Sequence, residues 1–521
     1  MGIYLNPGNQ AFAEALNSEI YVDKSGLIEY TNKVLGTKQK YVCVSRPRRF
    51  GKSMAADMLN AYYDRSCDSS EMFEKLEISE KSSYAAHLNQ YPVIFMNMQK
   101  FLSRSESVDH MVRYLQKKVL AEVREMYGES VKETELLAEA LEEVYAQKQE
   151  SFVFIIDEWD CIFREYPQDI EAQTKYLDFL RDLLKDARYV KLAYMTGILP
   201  IKKYGTHSAL NMFDEYSMTN PGVLASYVGF TEKEVQELCR KYHVDFQETK
   251  RWYDGYQFRR ENHIYSPKSV VGAMLHGEFD SYWTQTETYE ALKVYIEMNY
   301  DGLKDAIILM LGSGKCKINP RNFQNDMTTF KSKDDVLTLL VHLGYLAFDV
   351  DTKQVFIPNL EVETEFANAV EDAGWKEVID AISSSERLLE FTLARDMQAV
   401  AKKIEEIHME NTSILNYNDE NALSCVISLA YYSARNYYTM IRELPSGKGY
   451  ADMVFLPRKN HQDKPAMVVE LKWDKSSQGA IQQIKDKEYV KALQDYSGKI
   501  LLVGINYNAK TKKHECMIEE Y

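Results

Sequence analysis

The 521-residue chain has no apolar run approaching the roughly 20 residues that a membrane-spanning helix needs, so no membrane association is expected. Its first residues lack the basic-then-apolar order of a secretory signal, and Asn6 stands where a myristoylation pattern after Gly2 would need Ser or Thr. The seven cysteines (Cys43, Cys67, Cys161, Cys239, Cys316, Cys425 and Cys516) contain no C-x-x-C pair. That argues against a zinc ribbon and a disulfide framework and fits a reducing cytoplasm, the expected location. The ten histidines show no H-x-x-x-H spacing, and there is no G-x-S-x-G elbow, so neither zinc nor a hydrolase serine is expected. Internal repeats and low-complexity segments are absent too. Positive charge is in deficit: 63 Lys and Arg face 78 Asp and Glu, a net −15, which argues against non-specific nucleic-acid binding. The deficit is uneven. Residues 447–521 carry 13 basic against 10 acidic side chains, so the tail alone has a charge that tolerates a polyanion.

What is present is enough chain for two to four domains, with 45% hydrophobic and 27% charged residues, as in soluble globular proteins. Between 40 and 205, apolar runs at 40–45, 91–98, 151–157 and 189–197 alternate with helix-like stretches at 108–145 and 170–187. Near-continuous apolar strands separated by helices imply a parallel sheet covered on both faces. From 206 to 370 the pattern turns to helices, loops and aromatic clusters such as "RWYDGYQF" (251–258). Thr231 with Glu234 makes a capping box, and 343–359 reads as a hairpin with an Asp-Thr-Lys tip. Gly374 to Ser385 is a plausible junction. Beyond it, Leu423, Val426, Ile427 and Ala430 recur at helical spacing, followed by strand-like 450–457 and 466–473, a helix at 478–494 and strand-like 499–507. This is a second, smaller α/β unit.

Two stretches carry chemistry. "SRPRRFGKS" (45–53) ends as a phosphate-binding loop but has Arg46 where G-x-x-x-x-G-K-[ST] places its first glycine. The strand at 41–45 and the helix at 54–63 give the context such a loop needs. Lys52 would reach the β- and γ-phosphates of ATP, and the Ser53 hydroxyl would ligate Mg²⁺. Asp157 and Glu158 follow the run "VFII", where the first acid would hold Mg²⁺ and the second would polarise the attacking water. Thr196, with Gly197 at the end of the next strand, would lie beside Asp157 and either orient water or serve as a plain turn residue. In the tail, Asp452 lies on one strand and Glu470 and Lys472 on the next, where period-2 geometry gives the latter two a common face. Hairpin pairing would bring Asp452 beside them. Two carboxylates can hold Mg²⁺ and a lysine can act on water, so the set implies metal-assisted phosphodiester hydrolysis. Both acids sit in apolar runs, where an unligated acid is costly.

In order, "IYVDKSGLIEY", "SRPRRFGKSMAADML", "FIIDEWD", "MTGILPIKKYG", "RWYDGYQF", "IYSPKSV" and "LGYLAF…IPNLEV" resemble the AAA-ATPase-like family of bacterial proteins over about residues 18–370. The resemblance implies that Arg46 is the family's own form of the loop, with Pro47 setting the turn and Phe50 and Gly51 completing it. Arg48 and Arg49 would either add charge near the phosphates or pair with surface acids. "GYADMVFLP", "VVELKW", "GAIQQIKDKEY" and "ILLVGINY" resemble the PD-(D/E)XK nuclease-like domain found after such ATPases. That likeness makes Glu420 a helix acid and metal ligand beside Asp452 and Glu470, and Gln483 with Tyr489 a trailing polar pair. Ala451 replaces the usual proline.

The expected fold is α/β, with a P-loop ATPase core at 1–205, a mostly helical or winged lid at 206–375 and a restriction-endonuclease-like domain at 386–521. The expected function is an ATPase coupled to a Mg²⁺-dependent nuclease, acting on DNA more than RNA, in defence or mobile-element biology and compatible with a homo-oligomer. The alternative is a signalling ATPase switch whose tail binds nucleic acid or a partner without cleaving it.

Overall fold

A computed structural model describes residues 2–131, 134–201, 210–259, 261–283, 288–298, 300–324, 327–411, 420–446, 449–458, 461–493, 496 and 498–521. The chain forms two compact units, residues 1–288 with 317–362, and residues 289–316 with 363–521. Residues 289–316 and 363–375, read in sequence as part of the middle segment, thus fall in the second unit. Arg435 holds part of them there, donating to the Leu311 carbonyl at 3.2 Å and to Ser313 Oγ at 2.6 Å.

In the first unit the apolar runs form a parallel sheet of β1 (Tyr41–Ser45), β2 (Val93–Asn97), β3 (Phe152–Asp157), β4 (Val190–Gly197) and β5 (Asp214–Tyr216). The strand order is β2-β3-β4-β1-β5, and every pairing is parallel. All residues of β1 and β3 are buried, as strands covered on both faces require. The edge strand β5, "DEY", was not legible because it has no apolar run to announce it. The expected helix at 108–145 is two helices, Val108–Tyr127 and Leu137–Lys148. Parallel pairing carries every strand's polar end to one edge, with Asn97 opposite Asp157 and Ser45 opposite Gly197. Ligands of open α/β sheets bind at that carboxyl edge. Farther along, Thr231 and Glu234 close the capping box of helix Glu232–Tyr242, and Ala347–Asp349 pairs antiparallel with Gln354–Phe356 as the hairpin.

The second unit carries a five-stranded mixed sheet of β6 (Tyr438–Ser446), β7 (Gly449–Pro457), β8 (Ala466–Trp473), β9 (Ile500–Asn508) and β10 (Lys513–Glu520), in that order. Neighbours are antiparallel except β8 and β9, which are parallel and joined through helix Ser477–Asp486. The helix expected at 478–494 therefore stops at Asp486. Glu488 adopts a left-handed backbone (φ 57°), and Tyr489–Leu493 continue only as a 3₁₀ turn. Leu423, Val426, Ile427 and Ala430 are all buried on helix Glu420–Ala430. The outer strands read as loops because β6 carries charges and Pro445 and β10 is rich in charge, compositions common on sheet edges.

Helix Met397–Asn411 packs on β10 through two histidines. His408 Nδ1 and His514 Nε2 lie 3.2 Å apart, with both rings against Tyr507. Burial pushes His408 down to about 4, and burial with its neighbour pushes His514 down to about 3. Above the ordinary histidine range both are neutral, folded or unfolded, and cost nothing. As pH falls from about 6.5 towards 4 the unfolded chain takes up protons that the folded one refuses, at up to about 1.4 kcal/mol per pH unit for each ring. Thermal melts should therefore show the second unit losing stability between pH 6.5 and 4, and His514→Phe should flatten that slope.

Candidate functional site

The chain leaves β1 at Ser45 and reverses at Arg48 and Arg49 before helix Lys52–Tyr63 begins. Arg49 (φ 66°) and Gly51 (φ 91°) take left-handed backbone, so the sharp reversal lies there, two and four residues past Pro47. A strand, a tight reversal and a helix N-terminus in that order are the arrangement whose free N–H groups cradle phosphate. Lys52 is buried, and its ammonium donates to the Pro47 carbonyl at 2.8 Å, inside the loop. Burial lowers its pKa, against the pull of Glu158, Asp160 and Asp157.

Asp157, at the end of β3, collects three donors. Ser53 Oγ donates to Oδ2 at 2.8 Å, Asn97 Nδ2 to Oδ2 at 3.1 Å, and Thr196 Oγ1 to Oδ1 at 2.5 Å. Sequence reasoning had missed Asn97, although it closes an apolar run just as Asp157 does. It had also missed Asp57, one turn beyond Ser53, whose carboxyl is pushed up to about 7 by burial and then by Asp157. Ser53 and Asp157 present hard oxygen donors side by side, which fits a Mg²⁺ ion carried by a nucleotide. Glu158 adopts a left-handed backbone (φ 55°) and its carboxylate meets the Arg164 guanidinium at 2.5 Å. Burial is the main cause that raises the Glu158 pKa.

Arg46 departs from the phosphate-binding role expected of it. Its side chain is fully buried, donates to the carbonyls of Ser45 (2.9 Å) and Tyr216 (3.0 Å), and lies 5.0 Å over the Phe258 ring. The guanidinium is committed to carbonyls and a ring face, so only the backbone of Arg46 belongs to the loop. Phe50 is likewise buried, edge-on to Tyr256 at 5.3 Å. Tyr256 OH donates to the Gly344 carbonyl at 2.6 Å, and a Cβ on Gly344 (φ 94°) would stand 2.8 Å from Pro47. Trp283 Nε1 donates to the Arg48 carbonyl at 3.1 Å. Tyr256 and Phe258 of the "RWYDGYQF" stretch are thus core residues that brace the loop at Phe50 and Arg46. Arg46→Gly, which restores the usual glycine, should lower stability by about 2–5 kcal/mol, since it strands two carbonyls and opens a cavity. A thermal melt several degrees below the wild type checks this; an unchanged melt contradicts the bracing role.

In the second unit, β7 carries Asp452 and β8 carries Glu470 and Lys472, with Met453 paired to Val469. Asp452 Oδ2 accepts from the Leu471 N–H at 2.7 Å, and Lys472 Nζ donates to Glu470 Oε1 at 2.7 Å. Gln483, from helix Ser477–Asp486, donates to the same Glu470 oxygen and to Tyr489 OH at 3.2 Å. The Glu470 side chain is 2% exposed and that of Lys472 8%. Burial, then the charge of Asp452, pushes the Glu470 carboxyl up to about 7, while Lys472 pulls it down. Glu470 Oε2 is buried with no hydrogen-bond partner. A buried carboxylate oxygen without a donor, beside a second carboxylate, is what a divalent cation would satisfy, so the residues fit Mg²⁺. Ala451 is buried against Ile481 and Ile484, so the missing proline removes no ligand. Glu420 opens helix Glu420–Ala430, but its side chain lies outside the described residues.

Residues 8–206 match a family model described as "Predicted AAA-ATPase", and residues 418–516 match that of the PD-(D/E)XK nuclease superfamily. A protein of Azotobacter chroococcum, described as an uncharacterized protein in the vnfD 5′ region, is 25% identical over 293 residues, 54% of each chain. The chain therefore spans about half the length of this curated relative. Among solved structures, the Walker-type ATPase of Pyrococcus abyssi superposes with a TM-score of 0.36 at 12% identity, over 66% of this chain and 94% of that one. The ORC2 protein of Aeropyrum pernix gives 0.31 at 10% identity, over 68% and 97%.

Proposed function

From an AAA-ATPase-like domain at 8–206 and a PD-(D/E)XK superfamily domain at 418–516, we propose that this protein hydrolyses ATP in the first and cleaves nucleic acid in the second. In the first site Lys52 exchanges the Pro47 carbonyl for the terminal phosphates, and the loop N–H groups hold the rest of the chain of phosphates. Ser53 and Asp157 would hold Mg²⁺, with Asn97 and Thr196 fixing the Asp157 carboxylate. Glu158 takes the proton from the attacking water. In the second site Asp452, Glu470 and, from its helix, Glu420 would hold Mg²⁺, Lys472 acts on the water or the scissile phosphate, and Gln483 steadies Glu470. When bound, the cations supply charge neutralisation at phosphate oxygens and a more acidic water.

The observation that carries the nuclease reading is the unpartnered, buried Glu470 Oε2 next to Asp452 and Lys472. DNA is the favoured substrate over RNA, in defence or mobile-element biology, in the cytoplasm, with the first unit's part of the middle segment, residues 206–288 and 317–362, acting as a lid over the nucleotide and the tail at 386–521 doing the cutting. The deciding experiment incubates the purified chain with single- and double-stranded DNA and RNA, Mg²⁺ or Mn²⁺, with and without ATP, following phosphate release and cleavage products. ATP hydrolysis without cleavage under any condition would leave the switch reading, in which the tail binds but does not cut.

A further inference from the structure

The candidate base does not stand alone. Helix Cys161–Glu165 follows β3 after a short turn, and it brings Arg164 back over the two acids that precede it. Arg164 Nη2 meets Glu158 Oε2 at 2.5 Å, and Nε lies 3.5 Å from Asp160 Oδ2. The arginine side chain is 8% exposed and that of Asp160 0%. Asp160 Oδ2 in turn accepts from the N–H groups of Ile198 at 3.0 Å and Leu199 at 2.7 Å, just past the end of β4. Trp159 N–H donates to the Thr196 carbonyl at 3.0 Å, and Tyr176 OH donates to the Trp159 carbonyl at 2.7 Å. The turn after β3 is thereby tied on both sides, and Glu158 is held in a left-handed conformation that a glutamate adopts only at a cost of roughly 1–2 kcal/mol.

A nucleophile-activating base is commonly oriented by a third group that is itself fixed. Arg164 meets that description. One Glu158 oxygen is anchored through Arg164 to a buried carboxylate, and the charge of Lys52, at the end of the loop, acts on the same Glu158 carboxylate. We propose that Arg164 is a positioning residue for ATP hydrolysis, acting only through Glu158 and fixed by Asp160. The proposal rests on the ATPase reading above, in which Glu158 takes the proton of the attacking water.

The test is a double-mutant cycle on the full chain, with kcat, KM and the affinity for a non-hydrolysable ATP analogue measured for wild type, Arg164→Ala, Arg164→Lys, Glu158→Gln and the Arg164→Ala/Glu158→Gln double variant. Arg164→Ala should lower kcat about 10- to 100-fold with analogue affinity within about threefold of wild type. Arg164→Lys should recover part of the rate, because an ammonium can still bridge Glu158 and Asp160. In the Glu158→Gln background, removing Arg164 should cost nothing further. An Arg164→Ala kcat equal to or above that of wild type overturns the proposal, as does a loss that adds in full to that of Glu158→Gln. Loss of analogue binding in both Arg164 variants would mark Arg164 as structural and overturn it too. A wild type that does not hydrolyse ATP, or Glu158→Gln at full rate, overturns the ATPase reading and the proposal with it.

Discussion

Lys52→Ala is expected to weaken ATP binding at least about 100-fold, some 3 kcal/mol, because the buried ammonium inside the loop is removed from the terminal phosphates. Among the described residues its ammonium donates to the Pro47 carbonyl, which sits in the same loop. The variant should therefore lose at most about 1–3 kcal/mol of stability from that stranded carbonyl, and circular dichroism should show an intact fold. Titration with a fluorescent ATP analogue checks the loss, and unchanged affinity would sink the phosphate-loop reading. Glu158→Gln is the contrasting control. Its neighbour Asp157 keeps the donors from Ser53, Asn97 and Thr196, so the analogue should bind normally while turnover falls about 100-fold or more.

Asp452→Ala and Glu470→Ala should each eliminate divalent-dependent cleavage of nucleic acid while ATP hydrolysis continues, since the two sites belong to different compact units. Activity is not the only readout. In the wild type a divalent cation at 100 times its Kd should stabilise the fold by about 2.7 kcal/mol, visible as a raised melting temperature. Glu470→Ala removes the unpartnered Oε2, and the metal-induced rise should vanish. Lys472→Ala should keep the rise and lose at least about 100-fold in rate, because it acts on water or phosphate and not on the metal. A wild type whose melting temperature ignores Mg²⁺ and Mn²⁺ would remove the basis for metal-dependent cleavage.

How much of this was readable in the chain depends on how local the cause is. Strands β1, β3 and β4 announce themselves because a doubly covered parallel strand must be apolar nearly throughout, and β2 does so although it lies at an edge; the edge strands β5, β6 and β10 stay silent because an edge needs no such run. Glu470 and Lys472 were placed on one face by the two-residue period of a strand, and their 2.7 Å contact follows from that period. Ser53 and Asp157 were paired through the loop-strand logic of a phosphate site. The fate of Arg46 could not be read this way. Whether an arginine in a basic loop meets phosphate or is swallowed depends on Phe258 and Tyr216, some 170 to 212 residues away, which supply the ring and carbonyl it needs. Asn97, Asp57 and Arg164 were equally silent, since each acquires its meaning only when separate elements converge on Asp157 or Glu158. Composition and period determined the two α/β units, the phosphate loop and the tail's acid–acid–lysine set by themselves. Tertiary structure alone decided which charges are buried, what pairs with them and which carboxylate oxygen is left open, because burial and pairing arise from contacts that no local pattern encodes.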